Sequence, residues 1–89
     1  MIAQIWRGII RANASEDYLR FLRERVIPDY LAADGNLSIH ILLDQKGEFV
    51  TFLLLSFWES RAALEAFHEP QGADEFLLAS EAATVYEVM

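Results

Sequence analysis

Leu53–His68, LLLSFWESRAALEAFH, is the stretch whose reading decides the fold of this chain. Leu53 to Trp58 is a nearly unbroken apolar run that reads as the end of a strand, and a helix begins two residues later. Ser60 is a good N-cap for that helix, predicted over Arg61–His68, with Ala63, Leu64 and Phe67 along one side. Glu69, Pro70, Gln71 and Gly72 stop it. Backwards, the strand extends to Glu48 and is interrupted only by Thr51 and Ser56. It is therefore apolar on both faces, as a central or partner-facing strand is. Such a run does not set which face Leu54 occupies.

Upstream, Leu37–Asp44 alternates, with Leu37, Ile39, Ile41 and Leu43 on one face and Ser38, His40, Leu42 and Asp44 on the other. Gln45, Lys46 and Gly47 turn this strand into the next, making a hairpin. Before it, Ser15 is read as an N-cap followed by Glu16 and Asp17, where a helix dipole favours negative charge. Leu19, Leu22 and Val26 follow at helical spacing with Tyr18 and Phe21 beside them, and Pro28 predicts a kink or break before a last turn at Asp29–Ala33. Asp34, Gly35 and Asn36 end the helix. Met1–Ile10, β-branched and aromatic, reads as a strand in which Gly8 marks a bend. Downstream, Ala73–Ser80 reads as a short helix and Ala83–Met89 as a final strand.

The order strand, helix, strand, strand, helix, strand is that of a ferredoxin-like α+β fold, one domain over residues 1–89. Right-handed crossovers put both helices on one face of a four-stranded antiparallel sheet and leave the other face bare. Because the central strand is apolar on both sides, a second sheet packed on that face is expected, and with it a homodimer.

Composition supports this. A chain of 89 residues buries only about 60–65% of its unfolded surface, yet 54% of its residues are hydrophobic and its mean hydropathy is +0.18. Seven basic residues against fourteen acidic ones, a net charge of -7, make nucleic acid a poor partner. There is no cysteine, hence no disulfide, thiolate metal site or thiol nucleophile. The N-terminus lacks a signal-peptide layout, and Arg7 and Arg11 interrupt any membrane run, so a cytoplasmic protein without membrane association is expected.

Trp6-Arg7-Gly8, Ile27-Pro28-Asp29-Tyr30, Gly35-Asn36, Ser56-Phe57-Trp58-Glu59-Ser60 with Ala63 and Phe67, and Tyr86-Glu87-Val88 together resemble the antibiotic biosynthesis monooxygenase family. The resemblance spans nearly the whole chain, and Ser56–Ser60 carries it most strongly. It implies a homodimeric α/β barrel with a small pocket between sheet and helices in each subunit. It also implies, in some members, oxygenation of phenolic or anthrone-type aromatics with no metal, flavin or haem. Other members degrade haem with an asparagine, tryptophan and histidine set. Those positions fall here in Trp6–Gly8, at Phe67 and near Ser80, and none holds the required residue. A histidine that relatives carry before the final Tyr-Glu-Val is Val85 here.

Oxygenation without a cofactor needs a base, an ionisable substrate carbon and a dry apolar pocket. His40 and His68 are the two histidines. His40 shares a face with Ser38 and would serve as a pocket base if that face points inward; otherwise it is an interface histidine. His68 reads as a helix-end cap. Trp58 could stack on a planar aromatic or simply pack. Trp6 and Arg7 lie on opposite faces of their strand, so at most one enters a given cavity. Arg7 suits a carboxylate or phenolate, or an interface ion pair. The candidate substrate-binding residues are thus Trp6, Arg7, His40, Trp58 and Phe67. No metal-ligand spacing, phosphate loop or nucleophile triad is recognisable, and no cofactor is expected. The alternative to an enzyme is a non-catalytic dimer that binds an apolar ligand or has only a structural role.

Overall fold

A computed structural model of the chain describes residues 1–67 and 77–89. Strand β1 (Ile2–Arg11) leads through a 3-10 turn at Ala12–Ala14 into helix α1 (Ser15–Phe21), a π-helical segment (Leu22–Val26) and helix α2 (Ile27–Ala32). Strands β2 (Asn36–Lys46) and β3 (Phe49–Trp58) form the hairpin, followed by helix α3 (Arg61–Ala66) and strand β4 (Ala79–Glu87). The sheet order is β2-β3-β1-β4, with every neighbouring pair antiparallel. This is the expected ferredoxin-like arrangement, and β3 is an inner strand.

The alternation along β3 assigns the faces. Val50, Phe52, Leu54, Ser56 and Trp58 are buried, while Thr51, Leu53, Leu55 and Phe57 are only half-buried. The buried set meets Tyr18, Leu22, Val26 and Tyr30, so it faces the helices, and Leu54 lies on that side. Residues four apart on an α-helix drift by about 40° per step, which would carry Tyr30 roughly 120° away from Tyr18. The π-segment, which closes a bond from the Ile27 N–H to the Leu22 carbonyl, winds more slowly and holds the four side chains on one face. The break expected at Pro28 takes this form: α2 restarts with Pro28 in its first turn, where a missing N–H costs nothing.

Four local expectations need correction. The Ser15 hydroxyl does not cap α1; it donates to the Ala12 carbonyl at 2.8 Å, because the preceding 3-10 turn presents that acceptor, and Ala14 occupies the cap position. Ser60 does cap α3, its Oγ accepting from the Ala63 N–H at 3.1 Å. A helix over Ala73–Ser80 is not continued at its end. Residues 73–76 lie outside the described set, but Ala79 and Ser80 pair with Ile9 and Gly8, and the Leu78 N–H donates to the Ile9 carbonyl at 2.8 Å. Pairing with the outer side of β1 overrides the local apolar pattern, so β4 begins earlier than Ala83. Leu37 does not share a face with Ile39: the register shifts between Asn36 and Ser38, and Leu37 is turned out to 50% exposure. Finally, Gly8 marks no bend. It lies inside β1, and a Cβ there would sit 2.5 Å from Trp6 Cη2 and 2.8 Å from Leu77 Cδ2. The glycine makes room for an indole.

Candidate functional site

The helix side of the sheet gathers aromatic rings at the end of β3. Trp58 is fully buried, and its indole N–H donates to Ser56 Oγ at 2.9 Å, which satisfies a donor that would otherwise be stranded. Phe67, the residue that ends α3, has its ring centroid 5.1 Å from that of Trp58 and 4.6 Å from that of Tyr30. Tyr30 and Trp58 are 6.1 Å apart. The three rings tilt against one another at 45–54°, within the spacing that attractive aromatic contacts favour.

Phe67 is half-buried and forms one wall of a groove of about 370 Å³ between α2 and α3. Ala32, Ala33, Ala63 and Ala66 line it as well, together with Asp29 and Asp34. Such a site can hold a small flat apolar body against Phe67 while polar atoms remain at the wet edge.

The candidates from the sequence divide between the two sheet faces. Trp58 and Phe67 come together. Trp6 lies on the same face, opposite Leu54 in the β1–β3 ladder, whereas Trp58 lies opposite Ile2. Four residues along a strand separate them by about 13 Å. The Trp6 indole is half-buried and packs against the core. Arg7 and His40 are on the other face. Arg7 pairs with Leu53 in the ladder and makes an ion pair with Glu81 at 3.7 Å. His40 is opposite Leu55, exposed, with its Nε2 3.2 Å from Ser38 Oγ and its ring edge-on to Phe57. The inward orientation that a pocket base requires is therefore not the one His40 has. His68 lies outside the described residues. Ser80 is opposite Gly8 in the β1–β4 ladder.

Two members of the aromatic site were not singled out from sequence as its residues, Tyr30 and Ser56. The four-residue spacing from Tyr18 through Leu22 and Val26 was the available signal for Tyr30. Ser56, a lone hydroxyl two residues before Trp58 in an apolar strand, is where an indole N–H on the same face finds its acceptor. Among the described residues, no three His, Asp or Glu side chains come together as a metal-binding group, and no helix is long and apolar enough to cross a membrane.

Comparison with solved structures finds the same fold repeatedly. A protein from Nitrosomonas europaea assigned to the antibiotic biosynthesis monooxygenases superposes with a TM-score of 0.80 at 14% identity, over 100% of this chain and 99% of that one. One from Deinococcus radiodurans, similarly assigned, gives 0.76 at 17% identity over 100% and 93%. The haem degrader MhuD from Mycobacterium tuberculosis gives 0.68 at 20% identity over 99% and 95%. A search among curated proteins returned no match. The family model for antibiotic biosynthesis monooxygenases matches residues 1–82. Its match, Ser56–Ser60 at the joint of β3 and α3, and the four-stranded sheet with its helices on one face agree: the chain belongs to the antibiotic biosynthesis monooxygenase family.

Proposed function

We propose that this chain is a cytoplasmic homodimer that binds a small planar aromatic or polyketide-type compound between sheet and helices and oxygenates it without a cofactor. The observation that carries this reading is the aromatic cluster of Tyr30, Trp58 and Phe67, of which Phe67 lines an open groove, with Trp6 half-buried on the same sheet face. Phe67 and the alanines of the groove shield one face of a flat ring from water, which favours reaction of a substrate carbanion with oxygen over reprotonation. For an anthrone, the ring methylene loses a proton to a groove carboxylate, Asp29 or Asp34, the carbanion takes up oxygen, and the carbon becomes a carbonyl while the second oxygen atom leaves as water. Phe67 meets the ring, Trp58 and Tyr30 pack behind Phe67 and hold it in place, and Arg7 pairs with Glu81 of its own chain on the opposite face. Pure protein incubated with anthrone and quinol substrates is expected to consume oxygen above the buffer rate, and Phe67→Ala to lose most of that activity. No uptake across such a panel sinks the oxygenase reading for these substrates.

The placement of His40 on the opposite face favours a second reading, in which the pocket binds an apolar ligand without chemistry. Ligand binding by fluorescence titration with no accompanying oxygen uptake is its expected signature.

Assembly as a homodimer is supported by the bare sheet face. Ile5 and Ile9 of β1 and Leu53, Leu55 and Phe57 of β3 are all half-buried, while Leu42 is 46% and Tyr86 51% exposed. A contiguous apolar face of this kind on a small chain is the usual mark of an interaction surface. The Cα atoms extend 37 × 25 Å along the two longer axes, broad enough for the roughly 800 Å² that each partner buries in a stable complex.

A further inference from the structure

We infer that His40 makes pairing through the bare sheet face sensitive to pH, the dimer weakening as the imidazole gains a proton. This rests on the proposal that the bare face pairs two copies of the chain. His40 sits on that face of β2, opposite Leu55 and edge-on to the Phe57 ring at 6.2 Å, with Leu42 two residues along the same side. Among the described residues, its polar contact is Ser38 Oγ, at 3.2 Å.

Four other charged groups on this face are paired within the chain. Arg7 of β1 pairs with Glu81 of β4 at 3.7 Å, and Asp44 pairs with Lys46 on β2 at 3.6 Å. Arg11 stands at the far end of β1, opposite Phe49. The β3 residues that share the face, Thr51, Leu53, Leu55 and Phe57, carry no charge, and among the described residues Tyr86 of β4 is its remaining titratable side chain. The helices pack on the opposite side of the sheet. Thus Arg7, Glu81, Asp44 and Lys46 can enter an interface with counter-charges from their own chain. Among the described residues, His40 has none.

Covering the face removes water from the imidazole. A neutral ring keeps its hydrogen bond to Ser38 and tolerates this, whereas a charged one loses hydration with no carboxylate from its own chain to replace it. The charged form is therefore disfavoured in the dimer relative to the free chain. By linkage, pairing is favoured where the ring is neutral and weakens as the ring gains a proton. Each dimer carries two such rings, related by the symmetry of the pair.

The test is the dimer dissociation constant of the full chain, measured by analytical ultracentrifugation at about pH 8 and about pH 5, for the natural protein and for His40→Gln and His40→Phe. The expected result is a dimer at the higher pH that weakens by about tenfold or more at the lower one, with the dependence largely removed in both variants. Equal constants at the two pH values, a tighter dimer in acid, or an unchanged dependence in His40→Gln overturns the inference while leaving the dimer itself intact. A monomer at both pH values overturns the pairing and this inference together.

Discussion

Gly8 and Ser56 are the two residues at which this structure makes its most specific demands. The space a Cβ would need at Gly8 is occupied by the Trp6 indole and the Leu77 side chain. Gly8→Ala is therefore expected to destabilise the fold by about 1–3 kcal/mol, as overpacking does, read as a lower urea midpoint. Shortening the indole in a Gly8→Ala, Trp6→Leu double variant should recover part of that loss. Ser56→Ala leaves the buried Trp58 N–H without its acceptor and should cost about 1–3 kcal/mol in the same measurement. At this scale, the period of a strand was enough to place Trp6 and Arg7 on opposite faces. It could not say which side of β2 looks toward the helices. That sign depends on β3, whose apolar residues lie on both faces, and it is why His40 could be read as a pocket base and is found on the bare side.

Among the elements, the turn that joins α2 to β2 is the most constrained. Gly35 has φ of 85°, and a Cβ there would lie 2.5 Å from the Ala63 Cβ of α3. Gly47, in the hairpin turn, has φ of 62° but nothing within 4 Å of its Cβ position. Both substitutions to alanine carry the strain of a positive φ, but only Gly35→Ala also pushes α3 off the sheet. It should lower the melting temperature more than Gly47→Ala does, with the strain alone worth about 1–3 kcal/mol. The strands and the helix after Ser60 were legible because each carries its own signal, period two in one case and a capping hydroxyl in the other. The π-segment was not, since it answers to the need to keep Tyr18, Leu22, Val26 and Tyr30 against one sheet, a tertiary demand. The early start of β4 was hidden for a similar reason: Leu77 and Leu78 suit a helix locally, and it is the outer side of β1 that draws the following Ala79 and Ser80 into the sheet.

In the whole molecule, the sheet separates two roles. Its helix side holds the aromatic cluster and the groove on which the proposed chemistry depends; its bare side presents half-buried Leu53, Leu55 and Phe57 beside ionisable groups of which, among the described residues, Arg7, Glu81, Asp44 and Lys46 are ion-paired within the chain and Arg11, His40 and Tyr86 are not. The sheet was readable from the chain because the period of two in β2 and the doubly apolar run of β3 mark a hairpin with an inner strand; the apolar excess is what led to the expectation of a cover on the bare side. The reaction was less readable, because a flat apolar wall accepts many ring systems and names none of them. The most direct measurement of this two-sided account is the solution mass of the natural chain and of Leu55→Asp by light scattering near neutral pH. The natural protein is expected at twice the chain mass of 10.2 kDa and Leu55→Asp, still folded by circular dichroism, at the single-chain mass. A natural protein at the single-chain mass, or a Leu55→Asp variant that remains fully dimeric, would contradict it.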